Sequence, residues 1–252
     1  MTPKQKAEQF RALHVTGQPL VLFNIWDPGS AKAVAQAGAR AIATGSWSVA
    51  NANGYPDGER MPIDAVIDNL KRIVEAVDLP VTIDLESGYG QTPDEVGQAI
   101  ARTVVAGAIG CNLEDSFPEN GSLREIADQV ERIRAARKAA GGSYFINLRT
   151  DVFFQPSQPH NDEAVEKTLA RAKVYAEAGA DGLFVPGVTE ERLIGRLASE
   201  SPLPVNVMVV EKTPPLVKLK QLGVARVSHG PGPWLVVMKT LEDAARAAAM
   251  AA

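Results

Sequence analysis

The sequence predicts a (β/α)8 barrel that forms a single domain over residues 1–252. Short apolar segments alternate with amphipathic helical patterns along the whole chain. A unit of helix, Ala-Gly-Ala and apolar strand recurs at residues 37–39, 106–108 and 178–180. No Pro-, Gly- or Ser-rich linker and no change in composition divides the chain. Eight strand–helix units in about 250 residues are typical of this barrel.

The individual strands and helices are predicted from local patterns in the sequence. The eight apolar runs begin near positions 20, 41, 81, 109, 144, 182, 205 and 225. Residues 3–14 predict a short amphipathic helix before the first strand, and an apolar, alanine-rich C-terminal helix follows the last one. Asp27 is predicted to cap the second helix, with Pro28 at its first position. Apolar residues at helical spacing predict helices over residues 63–77, 126–133 and 165–172. A doubly wound sheet is the alternative, disfavoured because no Gly-x-Gly-x-x-Gly follows the first strand.

Composition and charge argue against several classes of partner and site. The formal net charge is −4 and no basic patch stands out, which argues against a nucleic-acid partner. A single cysteine excludes an internal disulfide framework and a multi-cysteine metal site. The N-terminus lacks an apolar signal segment and no apolar run reaches bilayer length, so we expect no membrane association and a cytoplasmic location.

Two carboxylates follow the third predicted strand. Asp84 and Glu86 are two residues apart in the stretch VTIDLESGYG, so strand alternation is expected to project both from one face. Like charges so close repel each other unless a cation or a shared proton intervenes. A hard divalent cation with oxygen ligands is the natural candidate, although Asp-x-Glu alone is equally compatible with a solvated turn or a cap.

Other polar residues follow the neighbouring predicted strands, and a barrel would bring them to the same end. Glu114 would complete an oxygen-rich Mg²⁺ pocket, and Arg149 could hold a substrate carboxylate with two parallel hydrogen bonds. The amides of Gly45 and Ser46 could bind another substrate oxygen. His229 is the only histidine at a strand end and a candidate for substrate contact.

Trp47, Asp115 and Asp151 lie near the same predicted strand ends. Trp47 could wall the pocket or simply pack against the protein. Asp115 and Asp151 fit supporting or capping positions better than metal-ligand positions.

Six segments together resemble the isocitrate lyase/phosphoenolpyruvate mutase superfamily over most of the chain. They are NIWDPGSA at residues 24–31, TGS at 44–46, Asp57 in GYPDG, DLESGYG at 84–90, LEDSFP at 113–118, and Arg149 in NLRTD. The resemblance implies a modified barrel, a Mg²⁺ or Mn²⁺ ion, and a dimer or tetramer of identical subunits. It also implies cleavage or formation of C–C or P–C bonds beside an α-oxo acid, through a metal-bound enolate.

The resemblance also implies residue roles. Asp84 would bind the metal directly, while Asp57, Glu86 and Glu114 would act largely through metal-bound water. Arg149 would bind the substrate carboxylate. The turn at Gly45 and Ser46 would supply backbone amides to the substrate. Thr44 and Trp47, on either side of this turn, are further candidates for substrate contact.

The chain departs from the superfamily pattern at two places. Many members carry aspartate where this chain has Glu86. The loop at residues 116–122 lacks the cysteine, lysine and histidine of the isocitrate and methylisocitrate lyases, and only Asn120 matches the phosphonopyruvate enzymes. Asn120 cannot act as an acid, so His229 or a metal-bound water is left as the candidate proton donor.

These observations favour a Mg²⁺-dependent lyase or decarboxylase acting on a small α-oxo carboxylate or dicarboxylate. A phosphonopyruvate mutase or hydrolase is one alternative. A non-catalytic binder of α-oxo acids is the other, because the loop lacks the acid–base side chains of its relatives.

Overall fold

The computed structural model describes residues 1–250 and confirms the predicted barrel. Eight parallel strands form one sheet in the order β1-β8-β7-β6-β5-β4-β3-β2. The strands are β1 (Leu20–Leu22), β2 (Ile42–Ala43), β3 (Val81–Asp84), β4 (Gly110–Glu114), β5 (Phe145–Arg149), β6 (Gly182–Val185), β7 (Val205–Met208) and β8 (Arg226–Ser228). Every strand begins within one residue of its predicted start.

The two ends of the sheet meet through one short contact. Ile25 and Thr44 form an isolated parallel bridge just beyond β1 and β2. The Ile25 amide donates to the Ala43 carbonyl at 2.9 Å, and the Gly45 amide donates to the Ile25 carbonyl at 3.1 Å. The barrel is therefore closed at the end where the predicted functional residues lie.

Helices surround the sheet and connect successive strands. They are α1 (Pro3–Ala12), α2 (Pro28–Gln36), α3 (Ser46–Ala52), α4 (Ile63–Ala76), α5 (Pro93–Val105), α6 (Ile126–Ala140), α7 (Asp162–Ala178), α8 (Glu191–Glu200), α9 (Leu216–Gln221) and α10 (Gly232–Met250). The predicted cap of α2 is confirmed, since Asp27 Oδ1 accepts from the Ser30 amide at 2.7 Å. No helix within residues 1–250 is long and apolar enough to cross a membrane.

Two connections are more elaborate than a simple loop and helix. After β2 the chain forms the short α3, and residues 53–62 then lead into α4. After β5 it forms a 3₁₀ helix at Val152–Phe154. Both insertions lie at the carboxyl ends of strands, so they add walls to that end of the barrel.

The barrel interior changes from apolar to polar along its axis. At the amino end of the strands, Phe10 of α1 and Leu13, which follows α1, pack in one cluster with Phe145 and Leu22. Further along, Asn147 Nδ2 donates to Asn112 Oδ1 at 2.9 Å, and Arg226 Nη2 reaches the same oxygen at 3.2 Å. Arg226 is fully buried. A polar layer therefore lies directly below the end that carries the acids.

Close packing between β4 and β5 depends on a missing side chain at Gly110. A Cβ atom there would lie 2.6 Å from the Phe145 carbonyl oxygen, a backbone atom that cannot move without shifting the strand. We expect Gly110→Ala to lower the free energy of unfolding by about 1–3 kcal/mol, measured by urea denaturation. Gly142→Ala is the control, because an added Cβ there meets no atom within 4 Å. Equal stability of the two variants would contradict the packing argument.

Candidate active site

A cavity of about 230 Å³ opens at the carboxyl ends of β3, β4 and β5. Its walls combine acids, one arginine and three apolar side chains. The lining residues are Ser46, Asp57, Gly58, Glu86, Glu114, Ser116, Phe117, Pro118, Gly121, Arg149, Asp151 and Phe154. Cavities for drug-sized ligands are roughly 300–1,000 Å³, so this one suits a small molecule.

Asp84 is held by the turn after β2. Thr44 Oγ1 accepts from the Asp84 amide at 2.9 Å. The Ser46 amide and hydroxyl both donate to Asp84 Oδ2, at 3.1 and 3.0 Å. Asn112 Nδ2 lies 3.4 Å from Asp84 Oδ1 and connects it to the polar layer below. The side chain of Asp84 is therefore fixed in orientation at the end of β3.

These contacts change the interpretation of the Thr44–Gly45–Ser46 turn. The sequence assigned its amides to the substrate. In the structure the Gly45 amide donates to Ile25 and the Ser46 amide to Asp84. Neither amide is free, because the closure of the barrel and the anchoring of Asp84 use both of them.

Glu86 does not project from a strand. β3 ends at Asp84, and Glu86 lies in the following turn with φ +51°, so strand alternation does not position it. Its Oε2 accepts from the amides of Gly58 and Glu59 at 2.9 and 2.7 Å. The Tyr89 hydroxyl donates to its Oε1 at 3.1 Å. Both carboxylate oxygens are thus bonded within the protein, although the side chain still lines the cavity.

Burial and neighbouring acids raise the pKa values of Glu86 and Asp57. Burial raises the pKa of Glu86 to about 8, and the charges of Asp57 and Asp84 add to the effect. The pKa of Asp57 is raised by partial burial and then by Asp84, although Asp57 remains open to solvent on one side. Such mutual repulsion is what a bound cation would relieve.

Arg149 is the one cationic side chain among the residues that line the cavity. Its Nη1 lies 2.7 Å from Glu114 Oε2, while its Nε and Nη2 donate to the two oxygens of Asp151 at 2.6 and 3.0 Å. Although burial disfavours its charge, Glu114 and Asp151 raise the pKa of Arg149, which therefore stays protonated. A substrate carboxylate would have to share or replace the contact with Glu114.

Asp115 and Asp151 support this arrangement from behind. Asp115 is completely buried and accepts from the Asp151 amide, the Thr150 hydroxyl and Arg171. Asp151 in turn orients Arg149 and accepts from the Ser116 hydroxyl at 2.7 Å.

Asp84, Thr44 and Gly45 do not line this cavity themselves, although Ser46, which binds Asp84, does. Three further candidates from the sequence also lie outside the cavity. Asn120 Oδ1 accepts from the amide and hydroxyl of Ser122, within its own loop. His229 contacts the Leu22 carbonyl at 3.2 Å and packs beside Phe23. Trp47 packs edge-on against Trp234, with ring centroids 5.3 Å apart. None of the three lines the cavity. The structure therefore brings Asp57, Asp84, Glu86, Glu114 and Arg149 together, but gives no support for Asn120 or His229 as the proton donor.

Within residues 1–250, no three Asp, Glu, His or Cys side chains converge as a ready-made metal site. The available donors are nevertheless carboxylate oxygens, which Mg²⁺ prefers, and Mg²⁺ usually keeps several of its waters. The donor set therefore fits an ion attached through few direct ligands, as the resemblance implies for Asp84.

Several residues that surround the site were not among the site residues predicted from the sequence. Phe117, Pro118 and Phe154 lie in loops without a periodic pattern, and only the folded chain shows that they face the acids. Tyr89 had one weak signal, a hydroxyl three residues after Glu86.

The model of the phosphoenolpyruvate phosphomutase sequence family matches residues 10–249 of this chain. The chain belongs to this family. A crystal structure of a Burkholderia cenocepacia protein, whose assignment as a phosphonomutase is provisional, superposes with a TM-score of 0.95. It is 56% identical, and the alignment covers 98% of this chain and 100% of that one.

Two of the curated relatives of this chain carry the names of enzymes. The 2-methylisocitrate lyase of Salmonella typhimurium is 28% identical over 90% of this chain and 78% of its own length. Oxaloacetate decarboxylase 1 of Pseudomonas fluorescens is 27% identical over 94% and 82%. The predicted superfamily is therefore confirmed, and its members catalyse several different reactions.

The raised pKa of Glu86 predicts a pH-dependent stability in the absence of metal. Between about pH 4.5 and 8 the folded state keeps a proton that the unfolded state releases, so stability falls as pH rises through this range. One such group changes the free energy of unfolding by at most about 1.4 kcal/mol per pH unit. Glu86→Gln should reduce this slope, measured by chemical denaturation from pH 5 to 8 with chelator present. An unchanged slope in the variant would show that other groups cause the dependence.

Proposed function

We propose that the protein is a Mg²⁺-dependent lyase or decarboxylase acting on a small α-oxo carboxylate or dicarboxylate. The observation that carries the proposal is the presence of one protonated arginine beside a cluster of acids in a cavity of about 230 Å³. A cation held by the acids and the guanidinium of Arg149 would bind the two ends of an oxo acid.

The chain's own residues hold and enclose the substrate in this proposal. Asp84 would hold the ion directly, with Asp57 and Glu114 bonded to its waters. Arg149 would bind the substrate carboxylate, kept in plane by Asp151. When bound, Mg²⁺ would polarise the oxo group and stabilise negative charge developing beside it. Phe117, Pro118 and Phe154 would exclude bulk water, which strengthens these charge interactions.

The loop after β4 favours a reaction with modest requirements. Residues 116–123 form a tight hairpin, in which the Phe117 amide donates to the Ser122 carbonyl and the Gly121 amide to the Phe117 carbonyl. This hairpin presents Ser116, Phe117, Pro118 and Gly121 to the cavity, and none of them is an acid–base group at neutral pH. A decarboxylase of the oxaloacetate type needs a cation, a carboxylate clamp and a pocket that stabilises charge, and no general acid from this loop.

A phosphonopyruvate mutase or hydrolase is the second candidate. The similarity to the Burkholderia cenocepacia protein favours it. The same clamp would also serve a binder of α-oxo acids without turnover, and a panel of substrates separates the three.

We expect oxaloacetate to be consumed in the presence of Mg²⁺ by the wild-type protein, above a blank that contains Mg²⁺ alone. Asp84→Ala should lower kcat/KM at least about a hundredfold, because it removes the residue proposed to anchor the ion. Asp94→Ala, which removes an exposed acid at the start of α5, is the matched control.

Phosphonopyruvate and 2-methylisocitrate complete the panel, with product formation followed by NMR. Turnover of phosphonopyruvate alone would replace the first proposal by the second. Equal turnover of oxaloacetate by the wild type and Asp84→Ala would refute the assigned metal anchor.

We also propose that the protein forms a homo-oligomer, a dimer or a tetramer. In α10 only Pro233 is buried, and the apolar side chains of Leu235, Val236, Val237 and Leu241 are exposed. Val21 and Phe23, in and just beyond β1, are exposed as well. Two uncovered apolar surfaces on one chain suit a contact between copies.

Val236→Lys should shift the protein towards the monomer, since it introduces a charge into the proposed contact. Val236 is 66% exposed in the single chain, so the substitution should not disturb folding. Val105→Lys, at a valine that is 84% exposed on α5, is the matched control. Light scattering after size-exclusion chromatography measures the mass, and a monomeric wild type would contradict the proposal.

A further inference from the structure

Two loops beside the cavity hold each other through their carboxylates. The first, residues 53–62, carries Asp57, and the second, residues 85–92, carries Glu86. Within residues 1–250, only three residues other than glycine have positive φ, namely Glu59 (+59°), Glu86 (+51°) and Tyr89 (+53°). All three lie in these loops. Residues with side chains rarely adopt this conformation, and surrounding contacts must hold them in it.

Glu86 holds the first loop. Its Oε2 accepts from two successive amides, those of Gly58 and Glu59, directly after Asp57 in the chain. Tyr89 bonds its other oxygen. Glu86 is only 5% exposed, so these hydrogen bonds replace water that the carboxylate has lost.

Glu59 holds the second loop in return. Its Oε1 accepts from the Ser87 hydroxyl at 2.8 Å and from the Tyr89 amide at 2.9 Å. Each loop thus supplies a glutamate that binds the other loop, an arrangement we call the reciprocal clasp of Glu59 and Glu86. The clasp also fixes Gly58, which adopts φ +87° close to the Pro118 carbonyl of the hairpin.

We infer that Glu86 and Glu59 are positioning residues that hold Asp57 at the cavity. Asp57 sits in an exposed loop and is repelled by Asp84 and Glu86, so its position needs an anchor in the backbone. The clasp supplies that anchor one and two residues after Asp57.

The length of the side chain is central to the inference. A shorter aspartate at this position would keep a carboxyl group near the cavity but withdraw it from Gly58 and Glu59. Glu86→Asp therefore separates the clasp from the mere presence of a carboxyl group. The inference rests on the proposed function only in so far as it concerns the metal.

The first test is amide hydrogen exchange of the full chain without metal. We expect residues 56–60 to exchange at least about tenfold faster in Glu86→Asp than in the wild type, because the hydrogen bonds from the Gly58 and Glu59 amides are lost. Glu95→Asp is the matched control. Glu95 also accepts from two successive amides, those of Gln91 and Thr92, but at the solvent-exposed start of α5. Unchanged exchange at residues 56–60 in Glu86→Asp would overturn the clasp.

The second test is Mn²⁺ binding, followed by electron paramagnetic resonance, in variants of Glu59. This residue does not line the cavity, so a role in metal affinity must act through the loop. We expect Glu59→Ala to weaken Mn²⁺ binding about tenfold and to speed exchange at residues 56–60. Glu59→Gln should restore most of both, since its amide oxygen can still accept from Ser87 and Tyr89.

Two results separate the inference from the function proposed above. Unchanged Mn²⁺ affinity in Glu59→Ala, with intact binding by the wild type, would overturn the positioning role. Absence of Mn²⁺ binding in the wild type would overturn the proposed metal dependence, and the exchange experiment would then decide on the clasp by itself.

Discussion

The concentration of negative charge at one end of the barrel is the constraint on which the rest of the site depends. Four acids lie there: Asp57, Asp84, Glu86 and Glu114. Burial and the charges of Asp57 and Asp84 raise the pKa of Glu86, and burial and the charges of Asp84 and Glu86 act in the same direction on Glu114. Arg149 is the only cation lining the cavity. Hydrogen-bond donors restrain three of the four acids. Ser46 holds Asp84, the Gly58 and Glu59 amides hold Glu86, and Arg149 holds Glu114. These restraints keep the carboxylates in place where repulsion alone would separate them.

The barrel makes this concentration of charge possible by supporting it from below. Asn112 connects Asp84 to Asn147 and to the buried guanidinium of Arg226. A cation enclosed in the polar layer partly offsets the acids without occupying the cavity. Behind Arg149, Asp115 accepts a hydrogen bond from the Asp151 amide and so supports the residue that orients Arg149. The charge of Asp115 is paired with that of Arg171. Charge is thus balanced in layers that extend well beyond the cavity walls.

The hairpin after β4 determines what chemistry the cavity can support. Its backbone bonds close it into a compact turn, and Asn120 is used to stabilise that turn. Phe117 and Pro118 face the cavity, and no hairpin residue that lines it carries an acid–base side chain. Under the proposed function, the hairpin therefore favours reactions that need no proton donor from this loop.

The sequence by itself determined the barrel, all eight strand starts, the cap at Asp27, and the acids and arginine that meet at one end. It could do so because apolar periodicity and capping are local properties, and because parallel strands place their carboxyl ends together. The tertiary structure alone decided what each polar group is bonded to. In the folded chain the Ser46 amide binds Asp84, and Glu86 binds the amides of Gly58 and Glu59. Asn120 and His229 do not line the cavity. These contacts form between loops that are distant in sequence. They also require a left-handed backbone conformation at Glu86, which the local sequence does not predict.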